Sequence, residues 1–392
     1  MSASRREYAV LVVVLGSLSA LSPFAVDAYL PALPAVARDL RAADGAAQAT
    51  ITGVLLGMGL GQLVLGPLSD AIGRRRPALA GVVLHVLTSV ACIFAGSIWA
   101  LIALRFVQGL AGAATAVVAM AVVRDRFAGT QAAVLFSRLL LVVLLAPIVS
   151  PIVGGMLLQW TSWEGIFVFL AALGVVIAVL AYLGLPETLP PHRRSGRGLG
   201  QVLASYRVLL RDRVMVAMVF VVGFMTGALF VFISASPFVY QDGYGLSELE
   251  YALAFAANAL CFGVSSQLNP LLLRRWSPVQ VLKAVQLMFA IACIWLVVSV
   301  ALSGSFWAFV VPFSVASLAF GATNPNAQAI ALHRHGDRAG AASALVGAGR
   351  FGIAGLVAPV VGLFGEISAL TSAVALLSLA ALSLAAMQIA RR

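Results

Sequence analysis

The chain has 392 residues, of which 62% are hydrophobic and only 10% carry a charge. A soluble domain usually has about 25% charged residues, so this composition excludes an ordinary soluble protein and indicates that lipid surrounds much of the chain. The net charge of +11 does not indicate nucleic-acid binding, because the arginines stand in short clusters between apolar runs and form no continuous basic face.

Apolar runs divide the chain into twelve predicted transmembrane spans. A bilayer core of about 30 Å requires roughly 20 apolar residues in a helix. The first six spans are residues 8–34, 47–70, 77–96, 98–123, 131–158 and 163–185. The next six are residues 214–240, 248–273, 279–302, 305–331, 338–364 and 367–390. We expect the first run to be a retained membrane helix, because it is longer than the core of a secretory signal.

Arginine is concentrated in alternate turns between these spans. Arg74 to Arg76 follow span 2, and Arg124 and Arg126 follow span 4, whereas the opposite turns hold only Arg38 and Arg41 as bases. Cytoplasmic loops of membrane proteins carry an excess of Lys and Arg. The alternation supports the number of spans and predicts that both termini are cytoplasmic.

The longest polar stretch, residues 186–213, follows the sixth span and contains several prolines and glycines. It predicts a flexible cytoplasmic linker between an N-terminal six-helix bundle at 1–185 and a C-terminal six-helix bundle at 214–392. Two such halves are typical of transporters whose repeats are related by an axis along the membrane normal. The predicted fold class is therefore an all-α integral membrane protein.

Asp27 is the one acid that we place within the apolar part of a span. Burial favours the neutral form of a carboxylate and a neighbouring arginine favours the charged form, so a carboxylate between the two can exchange a proton near neutral pH. The prolines that follow, Pro31 and Pro34, leave open that Asp27 ends the helix at the outer surface.

Arg105 and Arg350 are arginines that lie within predicted spans. Arg105 in span 4 is followed by Gln108 and a run of small residues, and Arg350 lies in span 11. An arginine at a helix centre is costly and usually faces a polar cavity or a partner. For Arg105 the alternative is a side chain that reaches the membrane surface. For Arg350 a cavity role and a structural role at an interface both stay open.

Two further stretches combine turn-forming or kinking residues. The turn after span 2, residues 66–77, reads GPLSDAIGRRRP and places one acid among three arginines; a plain arginine-rich cytoplasmic turn is the alternative. Span 5 carries APIVSPIVGG at residues 146–155. Its prolines bend the helix and its glycines allow close helix approach, although any kinked helix has similar features.

A cavity for amphipathic molecules needs aromatic walls and a few polar groups. The candidate lining residues are Phe24, Tyr29, Phe224, Phe230, Phe232, Phe255, Asn258 and Phe262. Tyr29 and Asn258 are the stronger candidates, because buried polar groups need partners, whereas each phenylalanine has a lipid-facing alternative.

The sequence predicts no cofactor, no metal and no enzymatic active site. Its single lysine, Lys283, is not part of a phosphate-binding loop, and its three cysteines and four histidines have no metal-ligand spacing. Transport would then be driven by an ion gradient or by a partner ATPase.

Four of these stretches resemble motifs of the major facilitator superfamily. Residues 66–75 resemble its G-x-L-x-D-x-x-G-R-[RK] signature after span 2, and residues 105–114 resemble its span-4 motif. Residues 146–155 resemble the antiporter motif G-x-x-x-G-P-x-x-G-G, with alanine and serine replacing two glycines. Residues 27–34 are most similar to the first span of the Bcr/CflA branch, which includes bicyclomycin and phenicol exporters.

The resemblance covers essentially the whole chain and implies a twelve-helix fold with a central cavity and alternating access. The implied gating motif comprises Gly66, Asp70, Gly73 and Arg74, with Arg124 as a further partner. The implied proton-coupling residues are Asp27 and Arg105, and the implied antiporter motif is Pro147, Pro151, Gly154 and Gly155.

By the same resemblance, the expected activity is proton-driven efflux of small drugs such as phenicols or bicyclomycin, without a cofactor. The expected partners are the drug, protons and the lipid of the bacterial cytoplasmic membrane, and the expected state is a monomer. A proton-coupled uptake symporter, an exporter of an endogenous metabolite, and a membrane-embedded enzyme or scaffold are the alternatives.

Overall fold

The computed structural model describes residues 5–127, 129–194, 199–333, 335, 338–359 and 367–390. Within these residues the regular structure is entirely helical, and twelve helices are long and apolar enough to cross a membrane. The predicted all-α fold with twelve spans is confirmed. Lipid cannot hydrogen-bond to backbone groups, so an apolar chain of this kind satisfies them inside helices.

The first six spans are formed by seven helices. They are α1 (Arg5–Asp27), α2 (Leu33–Asp39), α3 (Asp44–Ile72), α4 (Arg75–Ile93), α5 (Ile98–Arg126), α6 (Gly129–Leu158) and α7 (Trp163–Gly184). A 3₁₀ turn at Leu30–Ala32 joins α1 to α2. The first span therefore continues past its predicted end at residue 34 as a short buried helix.

The described residues of the linker and the second half form seven more helices. They are α8 (Leu199–Leu209), α9 (Arg213–Pro237), α10 (Glu248–Leu272), α11 (Pro278–Ser303), α12 (Phe306–Leu332), α13 (Ala339–Val357) and α14 (Ala369–Ile389). A π-helical turn, Phe238–Gly243, follows α9. The predicted eleventh span ran to residue 364, and its part from 360 onward lies outside the described residues.

The prediction of a flexible linker implied that the polar stretch between the halves is irregular. Part of it instead forms a helix, α8. This helix packs against α13, and the hydroxyl group of Tyr206 donates a hydrogen bond of 3.2 Å to the carbonyl oxygen of Leu63 in α3. Leu209 at the end of α8 is fully buried. An apolar side chain and a hydroxyl partner thus fix this part of the segment to both halves.

Side-chain caps define several helix starts on the two membrane surfaces. Ser247 and Glu250 form a reciprocal capping box at the start of α10, and Ser277 and Gln280 form another at the start of α11. Each box supplies partners for backbone N–H groups that the first helical turn leaves unsatisfied. Gly304 ends α11 with a φ of 60°, a conformation that glycine adopts without a steric penalty.

The two halves meet along two helix pairs and at the turn that follows α1. Helix α3 packs on α13, α6 packs on α10, and the 3₁₀ turn after α1 contacts α9 and α10. On the face of the molecule opposite the arginine-rich turns, Nε2 of Gln241 donates a 3.0 Å hydrogen bond to the carbonyl oxygen of Pro31. Arg38 and Asp242 form an exposed ion pair of 3.6 Å nearby. This face is therefore closed in the described conformation.

Candidate functional site

Arg105 lies in the interior of the first half. Its side chain is fully buried, and Nη1 donates hydrogen bonds of 2.8 Å to the carbonyl oxygen of Ala25 and 2.5 Å to Oε1 of Gln108. Nε2 of Gln108 in turn donates to Oγ of Ser89 at 2.8 Å. This burial excludes the alternative in which Arg105 reaches the membrane surface.

The guanidinium group of Arg105 also lies against aromatic rings. Its central carbon is 4.7 Å from the ring centroid of Tyr29 and 5.8 Å from that of Phe167, distances at which a cation is attracted to a ring face. Nε and Nη2 of Arg105 make no hydrogen bond to the described residues. The N–H groups on these two nitrogen atoms of Arg105 are therefore available to bond to another group.

Asp27 is the last residue of α1 and is 5% exposed. The 3₁₀ turn Leu30–Ala32, which begins three residues later, contacts α6, α9 and α10, so Asp27 lies near the junction of the two halves. The ion pairs formed within the described residues include neither Asp27 nor Arg105. The fold thus brings Arg105 to the backbone two residues before Asp27 without pairing the two side chains.

Tyr29 and Phe24, two predicted cavity residues, pack inside the first half. The hydroxyl group of Tyr29 accepts a hydrogen bond of 3.3 Å from Thr50, and its ring centroid lies 5.5 Å from that of Phe167. Phe24 contacts Phe169 of α7 with ring centroids 6.4 Å apart. In this conformation Tyr29 is a packing partner of Arg105 and has no exposed surface.

The predicted polar group of the second half, Asn258, is also enclosed. Its Nδ2 donates to the carbonyl oxygen of Ala254 at 3.0 Å, and its Oδ1 accepts from Ser314 of α12 at 3.0 Å. The amide therefore has a partner on its own helix and on the neighbouring helix, as a buried polar group requires.

Phe232 belongs to an aromatic cluster of α9, α10 and α12. Its ring stacks on Phe313 with centroids 3.6 Å apart and on Phe255 with centroids 5.9 Å apart. Phe224 stacks on Phe220 at 5.7 Å, outside this cluster. Phe313 was not among the predicted lining residues, because nothing in its local sequence distinguishes it from other apolar residues of span 10.

Phe262, the last of the predicted lining residues, is partly buried in α10. Its backbone carbonyl group lies against Gly321 of α12, where an added Cβ would come within 2.5 Å of the oxygen. Phe230 is likewise only partly buried. These two residues are thus less buried than Phe232 and Asn258.

The turn after span 2 contains an ion network around Arg74. Arg74 is bonded to Asp70 at 2.5 Å and, through Nε, to Asp125 at 2.9 Å. Its Nη1 also donates to Oγ of Ser69 at 2.7 Å. Gly73 has a φ of +100°, which favours glycine at the point where the chain turns between α3 and α4.

Arg124, which the resemblance suggested as a partner in this network, is exposed and forms none of the ion pairs of the described residues. The neighbouring Asp125 takes the place beside Arg74. Consecutive helical residues point about 100° apart, so α5 presents only one of the two to α3. The opposite charge of Asp125 makes it the favourable one.

Glu187, which sequence analysis did not select, completes the network from the start of the linker. It accepts backbone hydrogen bonds from Arg74 at 2.8 Å, Leu189 at 3.0 Å and Arg75 at 3.3 Å. Partial burial acts in the opposite direction, but these bonds and the charge of Arg194 hold the pKa of Glu187 below its ordinary value. The Pro-Glu-Thr sequence at residues 186–188 is the feature of the sequence that could have identified Glu187.

The glycines of span 5 lie where three helices meet. A Cβ at Gly154 would overlap the carbonyl group of Ala28, and one at Gly155 would lie 2.9 Å from the carbonyl oxygen of Glu248 in α10. Pro147 and Pro151 lie inside α6. The motif therefore places α6 against the first span on one side and against the second half on the other.

An apolar recess of about 380 Å³ lies on α11 and α12 and includes Leu287 and Trp295. Both side chains are exposed on the lipid-facing surface, and the recess includes none of the predicted site residues. We do not assign the recess to the site, because lipid is the expected occupant of such a surface.

Twelve spans in two halves, with Asp27 and Arg105 buried inside them, indicate a membrane transporter and not an enzyme. The family model described as "Major Facilitator Superfamily" matches residues 15–359. The chain belongs to this superfamily.

Two relatives and one solved structure illustrate the similarity. A "Bicyclomycin resistance protein homolog" of Haemophilus influenzae is 32% identical over 90% of this chain and 88% of its own length. A "Chloramphenicol resistance protein" of Pseudomonas aeruginosa is 29% identical over 71% of this chain and 66% of its own length. The crystal structure of a D-xylose-proton symporter has a TM-score of 0.76 at 13% identity, covering 95% and 96% of the two chains; this likeness concerns the fold alone.

Proposed function

We propose that the protein exports small amphipathic drugs of the phenicol or bicyclomycin type in exchange for protons, by alternating access between its two halves. The observation that carries the proposal is the position of Asp27, a buried carboxyl group outside the ion pairs of the described residues, beside the backbone that Arg105 holds. The relatives named for bicyclomycin and chloramphenicol resistance support the class of cargo.

The proton step follows from the surroundings of Asp27. A buried carboxylate without a counter-ion is costly, so in the described conformation Asp27 would carry its proton. Arg105 has two nitrogen atoms without hydrogen-bond partners. If the halves rock so that one of these approaches Asp27, the carboxylate form gains a counter-ion and releases its proton.

Export, and not uptake, is proposed because the Pro-Gly pattern of span 5 resembles the antiporter motif. Gly154 and Gly155 permit α6 to lie against Ala28 and α10 at the junction of the halves. This supports the antiporter resemblance of the motif. We further propose that the protein is a monomer in the bacterial cytoplasmic membrane, with both termini cytoplasmic, and uses the proton gradient without a cofactor.

The test is proton movement in everted membrane vesicles with an acidic interior, followed with a pH-sensitive dye. We expect chloramphenicol, florfenicol, bicyclomycin or a sulfonamide to release protons from vesicles that hold the wild-type protein. Asp27→Asn should abolish the release. A folded wild-type protein that releases no protons with any of these compounds would refute drug antiport, and release by a metabolite panel instead would identify an endogenous cargo.

A further inference from the structure

Arg350 lies at the middle of a transmembrane helix. It is near the centre of α13 (Ala339–Val357), whose backbone packs on α3. A Cβ added at Gly59, midway along α3 (Asp44–Ile72), would lie 2.9 Å from the backbone nitrogen of Gly352. Arg350, two residues earlier, is therefore at the depth of the span centres. A charged side chain is costly there and usually has a function.

The contacts of α13 fix the direction in which Arg350 points. Ile353 packs against Gly223 of α9, and Gly355 faces α3. Leu356 is 66% exposed and marks the lipid side. With about 100° between consecutive helical residues, Arg350 lies about 120° from Leu356, on the side of α13 that turns away from lipid. This side is flanked by α3 of the first half and α9 of the second half.

The guanidinium group of Arg350 has hydrogen-bonding capacity that the described residues do not use. Its Nε is buried and makes no hydrogen bond, and none of the ion pairs of the described residues includes Arg350. Its central carbon lies 5.0 Å from the ring centroid of Phe351. A ring face attracts the cation but offers no planar pair of acceptors to the five N–H donors.

Arg105 provides the contrast within the same molecule. Its Nη1 is satisfied by a backbone carbonyl group and by Gln108, so the protein itself holds that side chain. Arg350 has no corresponding acceptor in the described part of the chain. Arg105 is therefore fully buried and partly satisfied by the protein, whereas Arg350 is only partly buried and its N–H donors are left for a bound molecule to satisfy.

A second polar group lies near Arg350 across the junction of the halves. The side-chain amide of Gln62 in α3 is so close to Gly347 that a Cβ there would overlap its oxygen. Gly347 is almost one helical turn before Arg350 on α13. A molecule between α3 and α13 at this depth would meet both a cation and an amide.

We propose that Arg350 binds the cargo, through a group that presents two neighbouring acceptor oxygen atoms, such as a nitro, sulfonyl or carboxylate group. A guanidinium group donates two parallel hydrogen bonds to such a group, which a lysine cannot do. The inference rests on the proposed function, because it takes the cargo to bind between the halves. It assigns cargo recognition to α13 and leaves the proton step to Asp27.

The test is equilibrium binding to the purified full-length protein in lipid nanodiscs. The probes are chloramphenicol with its nitro group, florfenicol with its methylsulfonyl group, and the aryl-amine analogue of chloramphenicol, which replaces the two oxygens with a donor. We expect Arg350→Gln to weaken binding of the first two at least about tenfold, the effect of losing a charge-assisted hydrogen bond. The affinity for the amine should change by less than about twofold.

Arg350→Lys should lose most of the preference for the two-oxygen probes while keeping the charge, and Arg275→Gln, at an exposed turn, should behave as the wild type. If Arg350→Gln does not fold, the inference is decided by Arg350→Lys, from the ratio of its affinities for the two-oxygen probes and for the amine. Wild-type binding with an unchanged preference in the folded Arg350 variants overturns this inference alone. A wild-type protein that binds none of the three probes overturns the proposed function and the inference with it.

Discussion

The carbonyl oxygen of Ala25 accepts a 2.8 Å hydrogen bond from Nη1 of Arg105. This bond joins span 4 to span 1 two residues before Asp27, so a displacement of the arginine acts on the backbone that carries the carboxyl group. The same nitrogen donates to Gln108. Arg105 is thus held by neutral acceptors in a conformation in which Asp27 is outside the ion pairs of the described residues.

Gln108→Leu tests whether this network holds Arg105 in place. The substitution removes an acceptor from Arg105 and a donor from Ser89, both buried. We expect the free energy of unfolding to fall by about 1–3 kcal/mol and drug-driven proton release to decrease. Thermal unfolding in detergent measures the first effect. Gln159→Leu, at an exposed position, is the control, and equal effects of the two changes would contradict the role of the network.

Gly154→Ala tests the close approach of α6 to the first span. The added methyl group would overlap the backbone carbonyl group of Ala28, which cannot move aside as a flexible side chain would. We expect a loss of about 1–3 kcal/mol of stability and reduced transport. Gly340→Ala, where an added Cβ meets nothing within 4 Å, should leave both unchanged. Normal transport by Gly154→Ala would show that the contact is dispensable.

Asp125 and Asp70 should contribute unequally to the arginine network, although both bond to Arg74. The Asp125 side chain is 19% exposed and that of Asp70 is 48% exposed, so solvent screens the second pair more strongly. Asp125 also accepts a 3.1 Å hydrogen bond from Thr188. We expect Asp125→Asn to cost about 1 kcal/mol and Asp70→Asn a few tenths. Thermal unfolding of the two variants gives the comparison, and the reverse order would refute it.

The lowered pKa of Glu187 predicts that the stability of the protein depends on pH. This pKa is lowered in the folded protein, so the stabilising contribution of Glu187 is present above the unfolded-state pKa of about 4.3. The contribution is lost as the pH falls through the lower folded-state value. The difference in unfolding temperature between the wild type and Glu187→Gln should therefore be present at neutral pH and disappear on acidification. A difference that grows at acidic pH would contradict this assignment.

Hydropathy alone predicted the number of spans, because lipid as solvent forces long apolar runs into helices. It did not predict α2 (Leu33–Asp39) or α8 (Leu199–Leu209). Both are short and lie next to polar or proline-rich sequence, and tertiary contacts stabilise them. For α8 these contacts include the bond from Tyr206 to α3.

The sequence by itself determined which residues are exceptional in a membrane: Asp27, Arg105 and Arg350 stand out because each places a charge in an apolar run. Only the tertiary structure decided what each of them faces. Arg105 bonds to a carbonyl group 80 positions away, and Arg74 bonds to Glu187 across 113 positions. The choice between Arg124 and Asp125 depended on the rotation of α5 relative to α3. Such pairings depend on how helices pack, and hydrophobic periodicity contains no information about the identity of a distant polar partner.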